Sequence, residues 1–118
     1  MTASNMSAWS EYLHLLQAVG IPLNTLGLDD IALARSDALA AVTLLANGLA
    51  PILGGDVYWR RGLDIEPAYA NWHTSRHPDE GIKAQILNSC AQAAKYIENF
   101  PKRSDVEPLF SLVVRPQE

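Results

Sequence analysis

Few residues in this chain carry chemistry: the acid of Gly54-Gly55-Asp56, the pair His73 and His77, and the lone Cys90. A Gly-Gly turn ending in an acid can hold a metal for phosphoryl transfer, but that chemistry needs a second carboxylate. Val57 and Tyr58 follow instead. A phosphate cradle needs a strand, glycines and then a helix N-terminus, whereas strand-like sequence continues beyond these glycines. His73 and His77 have the spacing of some metal ligands, yet they fall in loop sequence beside Pro78 with no third ligand suitably placed. Cys90 lies on the apolar stripe of a helix among alanines, the setting of a packing thiol rather than a nucleophile. No G-x-S-x-G elbow occurs. The expectation is therefore no assembled catalytic group, no metal and no cofactor. The alternative is a small enzyme or ligand-binding domain with a site around Asp56 and His73 or His77, in a pocket at the hairpin end.

The elements that must position these residues are marked by punctuation. Ser7 caps a first helix with Trp9, Leu13, Leu16 and Val19 on one side, stopped by Gly20 and Pro22. Asp30 to Ala34 reads as a short strand, although DDIALA would also tolerate helix. Ser36 and Asp37 open a second helix that Gly48 closes, with Pro51 beyond. PILGGDVYWR and IEPAYANW then read as two strands joined at RGLD, with Gly62 supplying the positive φ of a type II′ turn. Pro78, Asp79 and Glu80 start a long third helix whose buried stripe is Ile82, Ile86, Cys90, Ala93 and Ile97. Pro101 ends it, and LFSLVV is a last strand. The fold class is α+β, an antiparallel-rich sheet of about four strands packed on helices, in the order α-β-α-β-β-α-β. Without the first helix this order suits a split β-α-β sandwich.

Alternation sorts the hairpin into two faces. Leu53, Val57 and Trp59 with Ala68, Ala70 and Trp72 form the core side. Ile52, Gly54, Asp56 and Tyr58 with Pro67, Tyr69 and Asn71 face outward. Gly54 and Gly55, with Trp59 and Trp72, are the structural part of the motif, since paired glycines in a strand signal a bulge or close approach. Asp56, Tyr58, Tyr69 and Asn71 are the candidate recognition surface, because rigid aromatic groups give contact area at low entropic cost.

Bulk properties narrow the class of partner. With 118 residues and 48% hydrophobic composition, residues 1–118 make one domain able to bury roughly two thirds of its unfolded surface. No window approaches the ~20 apolar residues of a membrane span. The first residues lack a basic leader and a small-residue cleavage site, and one cysteine forms no internal disulfide. A cytoplasmic protein is expected. The formal charge of −4, with basic doublets only at Arg60-Arg61 and Lys102-Arg103, argues against nucleic acid. A basic partner suits it better, and an exposed strand edge leaves room for a homodimer.

The succession GLDDIALARSDALAAVTLL, ILGGDVYWR, YANWH and AAKYIENF resembles the immunity protein 40 family of bacterial polymorphic toxin systems. The resemblance spans about Leu26 to Phe100, and GGDVY followed by Y-x-N-W is its most specific part. It implies a cytoplasmic bacterial protein that binds a cognate protein toxin and blocks it, acting as a binder and not a catalyst. The matching positions are Gly54, Gly55, Asp56 and Tyr58, then Tyr69, Asn71 and Trp72. His73 departs from the pattern, standing where relatives often carry another aromatic residue.

Overall fold

Ser7 caps the first helix as its place before an apolar stripe predicts. In the computed structural model, which describes residues 7–76 and 79–115, its Oγ accepts from the Ser10 N–H at 3.1 Å and α1 runs Ala8–Val19. The elements that follow are β1 (Ile21–Pro22), a 3-10 turn (Asn24–Leu26), β2 (Ile31–Ala34), α2 (Arg35–Asn47), β3 (Ile52–Arg61), β4 (Asp64–His73), α3 (Ile82–Asn99) and β5 (Glu107–Val114). The strands form one five-stranded antiparallel sheet in the order β1, β2, β5, β3, β4. The α+β class and the element order follow the sequence reading, with the two-residue β1 as the added strand. Because β5 pairs antiparallel with both β2 and β3, those two strands run parallel, joined by α2 with β5 set between them. That is a split β-α-β unit.

Two helix starts differ from expectation. The second helix begins at Arg35, one residue before Ser36, and carries no side-chain cap. The third begins at Ile82 after Gly81 rather than at the acids before it; Pro78 and His77 lie outside the described residues. Gly48 ends α2 as predicted.

The core lies between the helices and one face of the sheet. Leu33, Ile52, Val57, Trp72 and Phe110 from the strands meet Ala38, Ala41 and Leu45 of α2 and Cys90, Ala93 and Ile97 of α3. An aromatic chain runs through it: Trp72 stacks on Tyr96 at 4.5 Å, Tyr96 leans on Phe100 at 5.8 Å, and Phe100 meets Trp59 at 5.4 Å and Phe110 edge-on at 5.7 Å. Cys90 is buried, its Sγ directed at the Ala50 carbonyl at 3.6 Å, and burial pushes its thiol pKa up. It is a packing group.

The buried side of α1 is rolled from the predicted stripe. Tyr12 is its buried residue, while Leu13 and Val19 are exposed. An apolar count passes over tyrosine, whose ring nonetheless supplies more buried surface than either. Burial, with the charge of Asp30 adding, pushes the Tyr12 phenol up to about 12. An unfolded tyrosine ionises near ~10, so this contribution is intact below pH ~10 and lost as pH rises toward ~12, on the order of 2–3 kcal/mol. Urea denaturation of the wild type should therefore lose stability more steeply across that interval than Tyr12→Phe. Parallel profiles would refute the assignment.

Candidate functional site

Gly62 and Leu63 form the hairpin turn. Gly62 has φ +60° and Arg61 pairs with Asp64, the predicted two-residue register. That register holds to Tyr58 opposite Pro67. The next residue, Val57, pairs with Ala70, so Ala68 and Tyr69 are extra residues on β4. Pro67 lacks an N–H to donate and weakens the ladder where this bulge sits. Two extra residues, an even number, leave the faces beyond the bulge in phase. Val57 and Ala70 therefore keep to the core side with Trp72, as alternation predicts.

A second irregularity does change faces. Against β5, Ile52 pairs with Val114 and Gly54 with Val113, which leaves Leu53 as one extra residue. Ile52 consequently turns into the core and Leu53 turns out, 37% exposed. The predicted placements of both are reversed, because a single inserted residue inverts the alternation on one side of it.

The glycine pair acts through close approach. A Cβ on Gly55 would lie 2.3 Å from Trp72 Cη2 and 2.4 Å from the Ser111 carbonyl oxygen, and one on Gly54 would lie 2.2 Å from the Trp72 carbonyl oxygen. The indole of Trp72 occupies the space a side chain at Gly55 would need. Trp59 sits on the same helix-facing side, half-buried against Phe100 with the Arg103 guanidinium 5.2 Å above its ring.

The recognition candidates do not all face solvent. Tyr58 is only 7% exposed, packed with Leu23, Ala32 and Leu109 and with Leu26 and Ile65 at the margin. The segment around the 3-10 turn folds over that end of the sheet's second face. It is held by the Leu23 N–H to the Asp30 carbonyl at 3.0 Å. Burial first, then the charges of Asp56 and Asp30, push the Tyr58 phenol pKa up, with the Ser111 hydroxyl pulling the other way. The outward reading of Tyr58 is thus corrected: alternation assigned the face rightly, and a distant segment covers it.

Asp56, Asn71 and Tyr69 lie beyond this cover. Asp56 pairs with Asn71 on one side and Ser111 on the other; it is partly buried, and Asn71 is exposed. The Asp56 carboxylate accepts no hydrogen bond and joins no ion pair among the described residues. Tyr69 is 89% exposed and has φ +56°, a left-handed backbone that a bulky residue rarely adopts. The bulge sets its ring into solvent, two residues along β4 from Asn71, which pairs with Asp56. Such a surface offers an acceptor, an amide and an aromatic plate, the components of protein recognition.

His73 is exposed at the far end of β4, where it lines a cleft of about 630 Å³ between the hairpin's open end and α3. Pro51, Leu53, Ile82 and Ile86 give the cleft apolar walls, and Arg76 and Arg115 stand with His73 among its lining residues. Asp56 does not line it, and no hydrogen bond or ion pair joins Asp56 to His73. His77 lies outside the described residues. Among the described residues no three or more His, Cys, Asp or Glu gather where they could hold a metal, and no helix is long and apolar enough to cross a membrane. The alternative reading expects a pocket at the hairpin end, and a cleft stands there with His73 but without Asp56; its other walls come from separate segments that no local pattern joins.

A family model described as Immunity protein 40 matches residues 22–114, most of the chain. No curated protein and no solved structure matches it.

Proposed function

We propose that this chain, which belongs to the immunity protein 40 family, binds a cognate protein toxin in the bacterial cytoplasm and neutralises it by stoichiometric inhibition, without catalysis or a cofactor. Within the structure, the observation that carries the reading is Tyr69. A left-handed backbone at a bulky residue costs on the order of 1–3 kcal/mol, and here it holds an aromatic ring in solvent rather than in the core. The ring is not packed against the core, and a rigid exposed ring on the strand that carries Asn71 is suited to anchor a partner. Tyr58, being covered, supports the sheet beneath the interface instead of touching the toxin.

Docking through the face is favoured over docking through the edge. β4 is an edge strand, but Pro67, the acids Asp64 and Glu66 and the bulge interrupt the row of free backbone groups that a second strand would need. The same features work against a homodimer zipped through β4.

Co-expression with the product of the adjacent reading frame is expected to rescue growth and to yield a stable complex. Asp56→Ala should weaken that complex by more than ~1 kcal/mol, several-fold in Kd, with unchanged thermal unfolding. A panel of neighbouring products that neither bind nor lose toxicity would sink the reading.

A further inference from the structure

We propose that the cleft at the open end of the hairpin takes a carboxylate of the toxin, presented next to an aliphatic side chain; this rests on the neutralising role above. The chain is acidic overall, with a formal charge of −4, yet among the described residues the cleft is lined by Arg76, Arg115 and His73 and by no acid. The arginines elsewhere in the fold have partners: Arg60 and Arg61 pair with Glu107 and Asp105, Arg35 donates to the Ile97 and Glu98 carbonyls, and Arg103 lies over the Trp59 ring. Arg76 and Arg115 are exposed and have no ion-pair partner among the described residues. Two guanidiniums left over an apolar floor match a ligand with a carboxylate head and a greasy neighbour, since guanidinium recognises carboxylate through paired N–H donors.

The apolar half has its own signature. Ile82, on the first turn of α3, is 77% exposed and Leu53 is 37% exposed, both on the cleft. Leu53 is there because it is the extra residue of the β3 bulge. Backbone and side-chain bonds fix the rim around it: the Thr74 N–H donates to the Leu53 carbonyl at 3.1 Å, the Thr74 hydroxyl to the Ile52 carbonyl at 2.8 Å, and the Arg115 N–H to the Pro51 carbonyl at 3.1 Å. The site is held ready rather than assembled on binding.

The cleft is continuous with the recognition face. His73 belongs to both, two residues along β4 from Asn71, a spacing of about 7 Å at the usual rise of a strand. A partner on this surface must therefore offer a group for the Asp56 carboxylate and, one step along, an acid for the arginines. Opposite signs side by side reject a uniformly charged competitor at one place or the other. Specificity is thereby separated from the aromatic anchor.

The test uses the full chain with two dipeptide probes, N-acetyl-Leu-Glu amide and N-acetyl-Leu-Gln amide, followed by NMR. The Glu peptide is expected to shift the amides of Leu53, Thr74, Ile82 and Arg115 in a saturable way, at least tenfold more tightly than the Gln peptide. The double variant Arg76→Glu with Arg115→Glu should abolish the response while retaining the wild-type melting temperature. Equal response to both peptides, or none, would overturn the site. In the toxin complex the double variant should raise Kd at least 30-fold. An unchanged Kd there, with the Glu peptide still selected, would overturn the toxin as the source of the carboxylate and leave the neutralising role standing. A wild-type chain that captures no neighbouring product would remove both the role and that source.

Discussion

Gly55→Ala is expected to cost the domain about 3 kcal/mol or more and to lower its melting temperature by about 10 °C. The new methyl would lie 2.3 Å from Trp72 Cη2 and 2.4 Å from the Ser111 carbonyl oxygen. Neither neighbour has room to retreat. The indole is stacked on Tyr96 at 4.5 Å, and Ser111 belongs to β5, which is hydrogen-bonded to strands on both sides. The comparison that isolates this mechanism is Gly81→Ala, where an added methyl meets nothing within 4 Å and the change should stay within about 1 kcal/mol. Urea titrations of the two variants should therefore separate widely. Coincident curves would show that the Trp72 packing is soft.

Tyr69→Gly should do the reverse, leaving stability within about 1 kcal/mol of the parent while weakening toxin binding by about 2 kcal/mol or more, roughly 30-fold in Kd. Glycine adopts the φ of +56° without strain, so the bulge keeps its shape and only the ring is lost. The flexibility added to the unfolded chain offsets part of the relief. Tyr69→Ala keeps the strain as well as losing the ring, and should be the less stable of the pair with the same binding defect. If both variants bind as tightly as the parent, the ring is not an anchor. If both unfold, it has a structural role that its exposure does not reveal.

Much of the frame was legible in the residues. Ser7, Gly48 and Gly62 marked ends and turns because caps and positive-φ turns are local, and their chemistry acts within a few residues. The face of the hairpin that meets the helices was legible for Val57, Ala70 and Trp72 because the β4 bulge is even and does not disturb alternation. Leu53 and Ile52 were misplaced because the odd bulge does. Tyr58 was misjudged for a different reason: its cover comes from Leu23 and Leu26, some thirty residues earlier, and no local pattern reports a contact at that distance. The strained backbone of Tyr69 was hidden: Pro67 in PAYAN signals an edge strand or a bulge, but it does not say which following residue takes the left-handed backbone. His73 was singled out for its imidazole, while the structure places it on the lining of a cleft.

The even bulge also bears on how such a protein can change over generations. Between Pro67 and Ala70 the chain already carries two residues that the rest of the sheet does not count. A further pair inserted there, or this pair rewritten, leaves Trp72 in its pocket. A single residue passed on as a shift of register would turn that indole toward water and forfeit the core. Insertions should therefore be tolerated where the bulge absorbs them and purged where they shift the register of Trp72. The proposed binding surface can then be redrawn while the fold is inherited intact.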